Sequence, residues 1–279
     1  MNITVAKTIH NMRKIRHSLK GSVGFIPTMG YLHDGHISLV KLAQEENDHV
    51  IVSIFVNQKQ FGSNKDFQRY PRDTERDLDL LEKTKTDVVF LPEAEELYPA
   101  GYETYVSLGE ITKKLEGAIR PGHFTGVVTV LSKLFNIIEP TKAYFGQKDA
   151  QQVIVVKKMV ADLNIPIDII VGETLREPDG LAMSSRCIFL NDSERKEAAV
   201  IYQSLCLAKE LFAKEENNAG KIKSEIKNLI HGTKGVIDYI SIANPQTFEE
   251  TTIIENGALI SISVRFGKTR LIDNIFLKK

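Results

Sequence analysis

The chain has 279 residues, 42% hydrophobic and 26% charged, with 36 basic residues balanced by 36 acidic ones. That length suits one large globular domain or a large one with a small one. The cancelled charge offers no bulk attraction to nucleic acid or to a membrane surface. The opening Met1–Lys7 has no apolar stretch suited to secretion, and the longest apolar run, Val50 to Phe55 interrupted by Ser53, is far shorter than a membrane span. Cys187 and Cys206 have no metal-ligand spacing and read as free thiols of a reducing compartment, so a cytoplasmic protein is expected.

In chain order, Val23 to Pro27 reads as a buried strand, then Thr28-Met29-Gly30, then a helix from His36 to Glu46. Val50 to Asn57 is a second strand of β-branched and aromatic residues, Asp73 to Lys83 an amphipathic helix, and Asp87 to Leu91 a third strand. Phe124 to Ile138 has apolar residues at helical core spacing. Ala143 to Gly146 ends a short strand, Gln151 to Leu163 is a helix, and Ile167 to Val171 a further strand. This alternation predicts an α/β fold, a Rossmann-like parallel sheet with helices on both faces, whose ligands bind beyond the carboxyl ends of the strands. After the turn Glu177-Pro178-Asp179-Gly180 the texture changes to a long helix over Ser193 to Ala213, a helix over Lys221 to Ile230, and strands at Ile237 to Ile242, Leu259 to Phe266 and Arg270 to Phe276. The expected division is a Rossmann-like domain over 1–176 and a smaller C-terminal α+β domain over 177–279.

The segment Pro27 to His36 sits where the first predicted strand becomes the first helix. Gly30 and Gly35 allow a tight turn and close approach of backbone to ligand. A helix N-terminus offers unpaired N–H groups and a positive dipole end, and His33 and His36, three apart, can face one phosphate there. Two loop histidines without a ligand, or half of a zinc site, are the other readings; the zinc pair lacks the usual spacing of four and a third ligand. Lys148-Asp149 at a strand-to-helix turn offers a cation for phosphates and a carboxylate for a ribose hydroxyl, though an exposed charged turn is common. Ser184-Ser185-Arg186 offers two hydroxyls and a guanidinium. Gln60 and Gln152 each carry an amide that donates and accepts, which suits a ligand with a carboxylate and hydroxyls.

His33-Asp34-Gly35-His36 resembles the HxGH signature of the nucleotidyltransferase superfamily. The longer string Pro27 to His36, with Phe55 to Phe61, Phe145 to Gln152 and Asp179 to Arg186 in the same order, is similar to the pantoate–β-alanine ligases. Arg69 to Arg72, Leu115 to Gly117, Arg120 to Phe124 and Arg270 to Asn274 fit the same family. The resemblance implies ATP-dependent condensation of pantoate with β-alanine through a pantoyl adenylate, releasing AMP and pyrophosphate, a step of pantothenate biosynthesis. It places ATP on Met29, Gly30, Tyr31, Leu32, His33, Asp34, Gly35 and His36, on Gly146, Gln147, Lys148 and Asp149, on Leu175, and on Met183, Ser184, Ser185 and Arg186. It places pantoate and β-alanine on Pro27, Met29, Asn57, Gln60, Tyr70, Glu116, Arg120 and Gln152, and gives the catalytic work to His33, His36, Lys148, Ser184, Ser185 and Arg186.

Magnesium would arrive with ATP, bridging phosphate oxygens and needing few protein ligands, with Asp77 the candidate. A homodimer through the larger domain, a lid role for the smaller one, and no nucleic-acid or membrane partner are also implied. The chain departs from the family's usual pattern at Gln58 (proline), Gln147 (glutamate), Ala150 (an aromatic) and Cys187 (asparagine), none of them assigned to chemistry. The alternatives are an adenylyltransferase with a phosphate-bearing acceptor, which calls for more cationic residues than two glutamines supply, a class I synthetase without an evident RNA-binding module, and a non-catalytic nucleotide sensor.

Overall fold

Six short runs of apolar residues lie side by side in the first of two units of the protein, whose computed structural model describes residues 3–278. This unit spans Met1–Gln147 and Gln151–Glu173, and the second Lys148–Ala150 and Thr174–Lys279. The first holds β1 (Thr4–Ala6), α1 (Ile9–Ser18), β2 (Val23–Thr28), α2 (Asp34–Glu46), β3 (His49–Ile54), α3 (Asn64–Arg69), α4 (Thr74–Lys83), β4 (Val88–Phe90), α5 (Ala94–Leu97) and α6 (Glu116–Ile119). It continues with α7 (His123–Ile138), β5 (Lys142–Gly146), α8 (Ala150–Asp162) and β6 (Asp168–Gly172).

Successive side chains of a strand point to opposite faces. Phe25, Ile51, Val88, Phe90, Ala143 and Phe145 therefore enter one core with Met12 of α1 and the apolar residues of α7 and α8. Their chain neighbours Ile26, Val50, Val52, Val89 and Tyr144 enter another with Leu39, Val40 and Ala43 of α2 and Leu81 of α4. Helices thus cover both faces of the sheet, as the alternating elements predict.

The strand order is β1-β4-β3-β2-β5-β6, and every neighbouring pair is parallel. The chain steps from β2 through β3 to β4 on one side and from β5 to β6 on the other, so the order reverses between β2 and β5. Pairing explains why this is also where the sheet opens. β2 pairs with β3 along its whole length but with β5 only at Gly24 and Phe25. Pro27, which can donate no N–H, stands beyond that last pair, where a missing donor costs no ladder bond to β5. A crevice outside the carboxyl ends at such a reversal is the usual ligand site of open α/β sheets.

The second unit contains α9 (Asp192–Glu197), α10 (Val200–Ala213), α11 (Ala219–His231), β7 (Val236–Ala243), β8 (Ala258–Phe266) and β9 (Thr269–Leu277). Its three strands form an antiparallel sheet in the order β7-β8-β9. Ile260, Ile262, Val264 and Phe266 of β8 pack with Ile222, Ile226 and Ile230 of α11 and Leu205 and Ala208 of α10.

Several elements differ from the sequence expectation. The helix predicted over Ser193 to Ala213 is two, α9 and α10, parted at Ala198 and Ala199. Ala198, Ala199, Val200 and Ile201 are all buried. Four consecutive buried residues cannot share one face of a straight helix, and a break lets both flanking segments keep their apolar side inward. The strand predicted to reach Asn57 stops at Ile54, one position after its last pairing with β4, Ser53 with Phe90. β1 and α1 were not predicted: β1 is three residues long, and within α1 only Met12 is buried. Among the described residues no helix is long and apolar enough to cross a membrane.

Phe25 is fully buried and meets Phe135 edge-on, the ring centroids 6.3 Å apart. Phe25→Ala is expected to destabilise the protein by about 3–5 kcal/mol, read as a lowered denaturant midpoint with β2 still formed.

Candidate active site

At the end of β2 the Thr28 hydroxyl donates to the Ser53 carbonyl at 2.7 Å and accepts the Gly30 N–H at 3.2 Å. The next two residues both lie in the left-handed region, Gly30 at φ 78° and Tyr31 at φ 51°. Glycine is needed at the first, where a Cβ would stand 2.9 Å from an Asp77 oxygen and 3.0 Å from Ile54. At the second, a side chain in that conformation costs on the order of 1–2 kcal/mol. Asp77 of α4 offsets it: the Tyr31 N–H donates to Oδ2 at 2.6 Å and the Leu32 N–H to Oδ1 at 2.7 Å. Asp77 is 1% exposed, and burial pushes its carboxyl above the usual carboxylate range, opposed by those two amides and by Arg76.

The geometry gives Asp77 a structural task. Each of its oxygens accepts a backbone amide of the turn, so it latches the loop. Among the described residues no group of three or more His, Cys, Asp or Glu side chains could hold a metal ion.

The latched turn leads into α2, which His33 caps with its own ring. The Gly35 N–H donates to His33 Nδ1 at 3.2 Å, and the His33 N–H donates to His36 Nδ1 at 3.2 Å. This is a capping box built from two imidazoles, with ring centroids 4.1 Å apart. The predicted start of α2 at His36 is therefore two residues late, and Asp34, in the first turn, is exposed and complements the helix dipole. A ring nitrogen that accepts an N–H bears no proton, so each neutral imidazole carries its proton on Nε2. Two Nε2–H donors on the first turn of one helix suit an anion.

Beyond β3 the chain makes a 3₁₀ turn over Gln58–Gln60, with Gln58 exposed and Gln60 buried. The Asn57 amide donates to Gln60 Oε1 and to the Gly126 carbonyl, each at 3.0 Å, and accepts the Tyr98 hydroxyl at 3.0 Å. Gln60 Nε2 points to the Met29 sulfur at 3.0 Å. The Gln60 carbonyl accepts from Arg120 at 3.2 Å and lies 2.8 Å from His123 Nδ1. Arg120 is 4.0 Å from Glu116, itself buried, whose N–H donates to Gln151 Oε1 at 3.0 Å. Gln60, Asn57, Met29, Glu116 and Arg120 are thus joined in one network. Gln151 is a strut, its amide spent on the carbonyls of Ile111 and Lys114; Gln152 beside it is half-buried. Tyr70 is half-buried with its ring edge-on to Phe61, 5.8 Å between centroids.

Sequence reasoning did not assign Tyr98, His123 or Gly126 to this network. His123 had a signal in its spacing of three from Arg120 at the start of α7. Tyr98 and Gly126 had none, since their partner Asn57 is 41 and 69 residues away. Gly126 is required by proximity: a Cβ there would stand 2.3 Å from the Lys59 carbonyl oxygen.

After β5, Gly146 and Gln147 lie in the first unit and Lys148 and Asp149 in the second. Lys148 Nζ is 3.7 Å from Asp149, and its side chain is 17% exposed. Leu175, exposed, begins a tight hairpin. The Met183 N–H donates to the Leu175 carbonyl at 3.0 Å, and Arg176 bridges to Ala182. Asp179 at its tip accepts two bonds from Arg195, at 2.5 and 3.2 Å. Ser184 then caps a 3₁₀ turn by accepting the Arg186 N–H at 3.3 Å; Ser185 is buried and Arg186 half-buried. Burial pushes the thiol of Cys187 up, against the pull of Lys148 and Arg195.

Known proteins resemble this chain along nearly its whole length. A sequence profile described as Pantoate-beta-alanine ligase matches residues 4–276. The pantothenate synthetase of Acetivibrio thermocellus is 51% identical over 278 residues, 98% of this chain and 99% of that protein. That of Thermosipho melanesiensis is 52% identical over 276 residues, with the same coverage. The crystal structure of pantothenate synthetase from Thermus thermophilus superposes with a TM-score of 0.93 at 41% identity, covering 98% of this chain and 99% of that one. The pantoate-beta-alanine ligase of Francisella tularensis, complexed with beta-gamma ATP and beta-alanine, gives 0.81 at 37% identity over 98% of this chain and 97% of that one.

Two outcomes follow from the geometry. Asp77→Asn keeps one acceptor oxygen for two amides, and the unpaired buried N–H should cost about 1–3 kcal/mol, seen in a denaturant melt together with reduced turnover. The second concerns pH. Arg195 holds the Asp179 carboxyl below its ordinary range, so this pair's stabilisation is present above the unfolded carboxyl's pKa and is lost as pH falls through the lower folded value. The pair is partly exposed and worth no more than about 1 kcal/mol. The stability gap between wild type and Asp179→Asn should therefore be open at neutral pH and close in acid.

Proposed function

Because the chain belongs to the pantoate–β-alanine ligase family, we propose that it condenses pantoate with β-alanine in two half-reactions driven by ATP. In the first, the pantoate carboxylate attacks the α-phosphorus of ATP, the bond to the β-phosphate oxygen breaks, and pyrophosphate leaves. In the second, the β-alanine amine attacks the carbonyl of the pantoyl adenylate, and AMP leaves with the acyl C–O electron pair. The ionised carboxylate is already a nucleophile, so the first step needs positioning and charge stabilisation more than a general base.

The observation that carries this reading is the imidazole capping box. Spending both Nδ1 atoms on backbone amides fixes both tautomers, and the two Nε2–H groups sit on the positive end of α2 beside the opening between β2 and β5. They stabilise the negative charge that grows on the α-phosphate and pyrophosphate. Met29, Gly30, Tyr31, Leu32, Asp34 and Gly35 follow as the nucleotide's backbone cradle, with Gly146, Gln147, Asp149, Leu175 and Met183 on its base and ribose. Lys148, Ser184, Ser185 and Arg186 supply a cation, hydroxyls and a guanidinium for the phosphates. Gln60, fixed by Asn57, and Gln152 take the carboxylate and hydroxyls of pantoate, with Pro27 and Met29 against its carbon skeleton. Tyr70, Glu116 and Arg120 complete the pocket for pantoate and β-alanine. Magnesium would arrive with ATP and offset the phosphate charge, with Asp77 the candidate residue beside it. A homodimer through the larger unit and a lid role for the smaller one belong to the same proposal.

Pyrophosphate release should require pantoate, and pantothenate should form only when β-alanine is added. Pyrophosphate that appeared solely with a phosphorylated acceptor would sink the reading. His36→Ala removes one donor and should lower kcat by about 100-fold; turnover within a few-fold of wild type would dismiss the histidine's role.

A further inference from the structure

Two segments assigned above to the ATP phosphates, the Lys148 turn and the Ser184–Arg186 loop, lie far apart in sequence, with all of α8 and β6 between them. Within the second unit they share one support, two adjacent residues of β9. Asp273 and Asn274 are buried, 3% and 5% exposed, on a strand where polar residues have little reason to be inside unless they bind something. The Asn274 side-chain amide donates to the Lys148 carbonyl at 2.8 Å, and its backbone N–H donates to Asp273 Oδ1 at 2.8 Å. The Asp273 carboxylate takes both arms of Arg176, at 2.5 and 3.2 Å. Arg176 also donates to the Gly180 carbonyl at 3.1 Å and stacks its guanidinium 4.0 Å over the Tyr202 ring.

Arg176 is therefore the peg on which the 175–183 hairpin hangs. Gly180, at φ 89°, is held so close to Tyr202 that a Cβ would fall 2.0 Å from the ring. The hairpin ends one residue before Ser184. A bidentate, largely desolvated arginine–carboxylate pair defines direction as well as distance, which suits a joint that must aim a loop.

We propose that Asp273 and Asn274 are positioning residues for the adenylation half-reaction. Asn274 sets the Lys148 turn, and Asp273, through Arg176, sets the root of the Ser184-Ser185-Arg186 loop. One strand thereby fixes the spacing between two phosphate-binding segments without touching the substrate. The inference rests on the assignment of Lys148 and Arg186 to the phosphates.

The test is pantoate-dependent pyrophosphate release by Asn274→Ala and by the isosteric Asp273→Asn, with the folded fraction and melting temperature measured on the same samples. A displacement near 1 Å of a group aimed at a reacting phosphate costs about 100-fold. Per folded molecule, kcat/KM for ATP should fall by about that factor in both variants, while the KM for pantoate stays within about twofold. A purely structural role would lower the melting temperature and leave the ATP constants of the folded fraction at wild type, which would overturn the proposal. So would parallel weakening of pantoate and ATP. Lys148→Ala and Arg186→Ala serve as references. If these keep wild-type ATP dependence, the phosphate assignment itself fails; if they lose it while the β9 variants do not, only the positioning role fails.

Discussion

A single buried carboxylate gives the turn between β2 and α2 its shape. Asp77 accepts two consecutive amides from a stretch in which Gly30 and then Tyr31 sit in the left-handed region. Unbonded, those amides would be buried donors without partners, and the Tyr31 conformation would have no compensation. The carboxylate reaches the turn because α4 packs Leu81 into the same core as Ile26 of β2 and Val40 of α2. Helix packing, loop conformation and the start of α2 are thus one linked problem, and the histidine capping box is its outcome.

Much of the fold is legible from local pattern. The runs at Val23, Val50, Asp87, Ala143 and Ile167 are too short and too β-branched for helices, and all five become strands of one parallel sheet. What the pattern hides are elements whose stability is supplied from elsewhere. β1 exists because three residues pair with β4. α1 is a polar helix whose Arg16 reaches across to the carbonyls of Ile138 and Glu139 at the end of α7. The parting of α9 from α10 is likewise a tertiary decision, made by four consecutive residues that all find a core.

The candidate site divides along the same line. The capping box is written within four residues, so its sequence spacing could announce it. The bed of Gln60 is assembled from Met29, Asn57, Tyr98, Arg120, His123 and Gly126, and no window of sequence contains that group. Charge alone does not show that Asp77 holds a turn. Its two oxygens accept backbone amides 46 and 45 residues away in sequence. The same holds for Asp273 and Asn274, which a sequence shows only as two polar residues in the middle of a strand.

The loop that follows the hairpin carries a thiol, Cys187. Cys187 is half-buried, and burial keeps its proton in place although Lys148 and Arg195 pull the other way. Oxidants and alkylating agents attack the thiolate rather than the thiol. At a cysteine one residue from Arg186, burial thus opposes the thiolate that two nearby cations favour. The same packing that seats this loop thus also sets the protonation preference of its thiol.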